Sequence, residues 1–267
     1  MLRERIEGKW IDCFAAVFAK CGVGGGDPVA ILSETQSRRV NVDLSELGLL
    51  RLGCRPFHIV LPSPRLSAPA PVRSTGASHA VGNLGPVVNA LAASALVVDV
   101  TVEGLLHSAE LPAILGGGAR LLMISNEHPE ILERLLPDET LEPKVRAGMR
   151  LLRGARELRV TSPAGTDLAV QLKDARVGGV WGSTAKPGTV SHWPGGLCLA
   201  FPAAHSVNGR LVLASGDVNL TFKHYIREPI ALTIEHDYVT RIDGAGLDAE
   251  MLRSYFAAWG ERDAYAV

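Results

Sequence analysis

The run Leu96-Val97-Val98-Asp99-Val100 is short, nearly unbroken in apolar side chains and rich in β-branched residues. A strand of this kind is buried on both faces, as strands are when helices cover both sides of a parallel sheet. Arg120-Leu121-Leu122-Met123-Ile124 has the same character, and a helix is expected between the two, from about Ser108 to Leu115. Upstream, Pro28-Val29-Ala30-Ile31-Leu32 and Phe57-His58-Ile59-Val60-Leu61-Pro62 read as two further strands. Helices are expected around them. Ile6, Trp10, Ile11, Phe14, Val17 and Phe18 share one face and stop at the glycines from Gly22 to Gly26. Leu44 to Leu52, with Asp43 as N-cap, and Leu84 to Ala93 read as two more. Short apolar strands alternating with helices predict an α/β, doubly wound parallel sheet.

Helical character continues over Pro129–Leu136 and from Leu141 to about Ala155, after which the period changes to two. Leu158-Arg159-Val160-Thr161 and Leu168-Ala169-Val170-Gln171 flank the turn-rich Ser162 to Asp167, a hairpin pattern. From Ser191 to Gly244 apolar and turn residues alternate at short intervals, which predicts a mostly antiparallel sheet closed by a helix over Leu247–Trp259. The expected organisation is therefore a Rossmann-like domain over residues 1–155 and a β-rich α+β domain over 156–267. The longest irregular stretch, Ser63 to Ser78, is either a functional lid or a plain surface excursion.

Composition excludes several classes. A net charge of −1 and a pI near 6.7 give no electrostatic reason to bind nucleic acid or an anionic membrane. Hydrophobic residues make up 47% of the 267, yet no apolar run approaches the roughly 18 residues of a membrane span. Met1 to Glu7 mixes both charge signs, unlike a signal peptide. Cys13, Cys21, Cys54 and Cys198 lack CxxC spacing, so free thiols in a reducing, cytoplasmic setting are expected.

Few residues suggest chemistry. The glycine run at 22–26 precedes its strand and lacks the Lys-Ser/Thr of a phosphate loop. Gly76-Ala77-Ser78-His79-Ala80 has no leading strand and ends in alanine, which rules out a nucleophile elbow. Glu235-His236-Asp237 resembles a metal cluster but falls between two alternating apolar runs, where a tight turn is required. Leu105-Leu106-His107-Ser108 is better placed, just past the carboxyl end of the strand at 96–100, where doubly wound sheets present ligand-binding groups. His107 there is a general base or hydrogen-bond donor, or else it caps the next helix or is simply solvated. His192-Trp193-Pro194-Gly195-Gly196 offers a titratable nitrogen, a flat apolar wall and glycines that let a backbone approach a small molecule. Trp181-Gly182-Ser183 either adds to that wall or holds a structural Trp.

Leu106-His107-Ser108, His192-Trp193-Pro194-x-Gly196 and Gly216-Asp217 followed by Phe222-Lys223 together resemble the 2,5-dihydroxypyridine 5,6-dioxygenases of bacterial nicotinate degradation. Those enzymes share the fold of the aminopeptidase T-like (M29) metallopeptidases. The similarity runs from about Val29 to Val267, through Pro229–Gly244 and the closing helix. It implies an Fe(II) enzyme that uses O2 to open a hydroxylated pyridine ring to N-formylmaleamate. It also implies His107 and His192 as acid/base and orienting groups, with Leu106 and Trp193 as apolar walls around a small aromatic heterocycle, in a homo-oligomer. The family's iron ligands, two histidines and an aspartate, fall after the position of Val267. No metal ligand, and no bound iron, is therefore expected within this chain, whose second domain is expected to be incomplete and whose activity alone is expected to be lost. Two alternatives stand beside this reading: an M29-type metallo-aminopeptidase, and a non-catalytic binding or oligomerisation module of the same fold. The peptidase would need a cluster of Glu and His, and Gly196 is followed by Leu197 and Cys198.

Overall fold

The structure is a computed structural model that describes residues 5–65 and 78–267, so most of the 63–78 loop lies outside the described residues. The helices are α1 (Gly8–Lys20), α2 (Arg39–Arg51), α3 (Gly85–Ala92), α4 (Leu111–Gly116), α5 (Pro129–Glu133), α6 (Leu141–Gly154) and α7 (Gly246–Ala258). Strands β1 (Pro28–Glu34), β2 (Arg55–Leu61), β3 (Leu96–Asp99) and β4 (Arg120–Ile124) alternate with the first helices. They are followed by β5 (Glu157–Thr161), β6 (Asp167–Gln171), β7 (Arg176–Val180), β8 (Val190–Trp193), β9 (Leu197–Phe201) and β10 (Val207–Leu213). The short β11 (Val218–Asn219) and β12 (His224–Tyr225) precede the hairpin β13 (Ile230–Glu235) and β14 (Tyr238–Asp243).

The chain divides into two compact units, each with its own sheet. In the first, the strands lie in the order β2-β1-β3-β4-β8, every neighbouring pair parallel. Successive residues of a strand face opposite sides. Val29, Ile31, Leu96, Val98, Leu122 and Ile124 accordingly pack with α1, α2 and Leu132 of α5. Ala30, Leu32, Val97 and Leu121 pack with α3 and α4 on the other face. This is the expected α/β class. Helix α1 ends where expected, because Gly22 takes the left-handed conformation (φ +70) that closes a helix without a Cβ penalty. Helix α2 starts earlier than expected, at Arg39. Asp43 therefore lies inside it, paired with Arg39 at 2.7 Å instead of capping it.

In the second unit the order β14-β13-β10-β6-β5 is antiparallel throughout. Val207, Ile230, Leu232, Ile234 and Val239 of this sheet pack against Ala249 and Leu252 of α7.

The contiguous boundary expected near residue 155 is replaced by an interleaved one. The first unit takes the described residues up to Arg146 and then Gly179–Leu197, and the second takes Ala147–Gly178 and Cys198–Val267. Strand β8, expected in the antiparallel sheet, is the edge strand of the parallel one. No helix among the described residues is long and apolar enough to cross a membrane. Cys13, Cys21 and Cys54 are buried free thiols and Cys198 is an exposed one. Burial pushes the thiols of Cys13 and Cys21 up to about 11.

Candidate active site

The carboxyl end of β3 is organised by Asp99, a fully buried carboxylate in a strand otherwise made of apolar residues. It accepts from Thr101 N at 3.0 Å, from Thr101 Oγ1 at 2.7 Å and from Leu105 N at 2.7 Å. Burial pushes its carboxyl up from 3.8 to about 6, against the pull of these donors, with Glu34 adding to the rise. Glu34, at the end of β1, accepts from Val102 N at 2.6 Å. Ser78 N donates to Gly104 O at 2.8 Å from a third direction. The segment 100–107 is thus bound by its backbone to three parts of the chain. Leu105 is fully buried, Leu106 half-buried and His107 exposed beyond it.

His192 belongs to the same edge. In register across adjacent strands stand Leu32, Asp99, Met123 and His192. Residues in register in a parallel sheet point to the same side, so all four face α3 and α4. Asp99 and His192 are two inter-strand spacings apart, roughly 10 Å. Gly104 lies over the residue between them: a Cβ there would stand 2.2 Å from Met123 Sδ, and the backbone is left-handed (φ +80). The left-handed backbone favours glycine here, and without a Cβ it can sit directly on the Met123 side chain. The histidines come from one unit, His192 in the row and His107 three residues beyond the glycine that meets Met123. His192 Nδ1 lies 2.7 Å from Pro194 O. A carbonyl only accepts, so Nδ1 carries the hydrogen and donates it. Nε2 of the neutral ring is left with the lone pair.

Two expectations about this stretch are corrected. Trp193 is not a substrate wall. One residue on from His192, it faces the opposite side of the sheet, where it is wholly buried edge-on to Phe14 (centroids 5.1 Å apart) and donates from Nε1 to Leu135 O at 3.0 Å. The closeness that Gly195 allows is to the chain itself. A Cβ on it would stand 2.1 Å from Gly182 N and 2.3 Å from the carbonyl carbon of Trp181. Trp181 is half-buried beneath the Arg146 guanidinium, 4.8 Å from its ring centroid.

Elsewhere the plain readings prevail. His236 and Asp237 both have left-handed backbones, as the two-residue turn between β13 and β14 requires. The Asp237 carboxylate accepts from Val207 N at 2.7 Å and from His205 N. Among the described residues, no three His, Cys, Asp or Glu side chains are grouped as a metal ion would need. The described residues thus present no ligand set for the iron that the resemblance implies for the family. Asp99 and Glu34 went unnoticed in the sequence, although a carboxylate inside a strand buried on both faces is a signal, since its charge must be met by donors. The hydroxyl of Ser108, beside His107, is buried with no hydrogen-bond partner among the described residues.

The family model for 2,5-dihydroxypyridine 5,6-dioxygenase matches residues 9–267. The chain is 36% identical to the 2,5-dihydroxypyridine 5,6-dioxygenase of Pseudomonas putida KT2440 over 242 residues, 90% of this chain and 68% of that enzyme. A solved structure of the dioxygenase from the same strain superposes with a TM-score of 0.87 at 34% identity, covering 96% of this chain and 74% of that one. The aminopeptidase AmpT of Thermus thermophilus shares the fold, with a TM-score of 0.60 at 15% identity over 97% of this chain and 76% of its own. On the family match across nearly all its length, the chain belongs to the 2,5-dihydroxypyridine 5,6-dioxygenase family.

Proposed function

We propose that this chain binds 2,5-dihydroxypyridine and moves its proton in a ring opening by O2, and that His192 and His107 are its working groups. The observation that carries the reading is the row at the sheet edge, where His192 has Nδ1 committed to Pro194 O and Nε2 free to accept. A ring hydroxyl hydrogen-bonded to Nε2 loses its proton to it. The imidazolium that forms keeps its Nδ1–H on a carbonyl, which stabilises the positive charge. A base so placed contributes about 10²–10⁴-fold to a rate. His107 donates to or accepts from the ring's second polar edge, Leu106 gives an apolar contact, and the Ser108 hydroxyl is a further candidate donor. The chemistry these residues supply ends with a bound, ionised ring.

A cytoplasmic location belongs to the same proposal, supported by the free thiols. So does a homo-oligomer, supported by the edge strand β5, on which Leu158 and Val160 are exposed. The test is anaerobic titration of the protein with 2,5-dihydroxypyridine, followed by ultraviolet difference spectroscopy. A saturable spectrum of the ionised ring is expected, with His192→Ala and His107→Ala each weakening binding at least about tenfold. Absence of the signal, or variants that bind as the parent does, would overturn the reading. Hydrolysis of a leucyl arylamide would favour the peptidase instead.

A further inference from the structure

We infer that Asp99 and Glu34 are positioning residues that act through His107: two buried carboxylates clamp the backbone of segment 100–107 and so fix the point from which its imidazole projects. The inference rests on the proposed role of His107 and extends it to residues that touch no substrate. Asp99 gathers both ends of the segment, accepting from Thr101 at its start and from Leu105 two residues before His107. Glu34 takes Val102 N from the neighbouring strand. Gly104 is pressed on Met123, the residue between Asp99 and His192 in register.

A plain turn does not need two buried carboxylates. Burying an ionisable group is unfavourable unless donors meet it, and here the donors are backbone N–H groups of one segment. The geometry therefore fixes the position of a loop as firmly as that of the strands. An imidazole displaced by about 1 Å loses on the order of a hundredfold in a reaction that depends on alignment.

A double-mutant cycle tests this. Asp99→Asn keeps one oxygen for Thr101 but turns an amide N–H₂ toward the Leu105 N–H. It is expected to weaken 2,5-dihydroxypyridine binding about tenfold in the parent protein and to change it less than twofold in His107→Ala. Glu34→Ala is expected to behave likewise, while Glu34→Gln, which keeps an acceptor for Val102 N, restores most of the affinity. Amide exchange at Val102 and Leu105 should quicken in the weakened variants. If Asp99→Asn fails to fold by near-ultraviolet circular dichroism, the Glu34 pair decides. Losses that multiply between Asp99→Asn and His107→Ala, or Glu34→Ala binding as the parent does, would overturn the positioning role alone. His107→Ala binding as the parent does would instead overturn the reading of the site beneath it.

Discussion

At the scale of single residues, Asp99 shows how a site's geometry is bought with stability. Its carboxyl sits at about 6 in the fold against 3.8 when exposed, chiefly because burial disfavours the charge. Between those values the folded chain binds more protons than the unfolded one, so stability falls as pH rises through the window. Below about 4 the penalty is absent and above about 6 it is complete, at about 3 kcal/mol. This is the reverse of Asp167, whose carboxyl is held low by Arg159. The expected outcome is measured by urea unfolding of the parent and Asp99→Asn at pH 4, 5, 6 and 7. The stability of the parent relative to the variant should drop by about 3 kcal/mol across the series. A difference that stays flat would mean that the Asp99 carboxyl binds its proton no more tightly in the fold than in the unfolded chain, so that burial does not penalise its charge.

At the scale of elements, the legible part of the sequence was the set whose pattern is local. Strands β1, β3 and β4 are buried almost throughout and read as apolar runs. Strand β8 was missed as a member of their sheet because Val190-Ser191-His192-Trp193 is an edge. Its burial alternates, so it carries the period-two signature of an antiparallel strand while pairing in parallel with β4. His192 stood out through its neighbours. Its alignment with Asp99 did not, because register between strands joined by long crossovers leaves no local trace. The Pro-Gly-Gly that follows was read the wrong way round, since glycine signals a close approach without naming what approaches. Substitution makes the distinction measurable. Gly195→Ala drives a Cβ into the backbone of Trp181 and Gly182 and should destabilise the protein by about 3 kcal/mol. Gly24→Ala, with nothing within 4 Å of its Cβ, should stay within about 0.5 kcal/mol of the parent. Equal midpoints for the two in thermal unfolding would contradict the close packing at residue 195.

At the scale of the whole molecule, interleaving decides which stretch of chain can fold by itself. The pattern change after Arg156 suggests a first domain ending near residue 155, but a fragment 1–155 lacks β8 and with it Trp193. The indole fills the core beside Phe14 and satisfies Leu135 O, and its loss leaves a cavity and an unpaired carbonyl. Large aromatic truncations of this kind cost about 3–5 kcal/mol, a large share of the 5–15 kcal/mol that holds a domain together. The strand deletion also exposes the β4 edge over Leu121, Leu122 and Ile124, three residues buried in the parent. Fragment 1–155 should therefore bind the dye ANS and show weak near-ultraviolet circular dichroism, the marks of a loosely packed state. A variant chain ending at Leu197 keeps β8 and should pack its first-unit core more tightly on both measures. A cooperative, ANS-silent fragment 1–155 would show that the parallel sheet closes without its fifth strand. His192 would then belong to an appendage of that sheet and not to its folding unit.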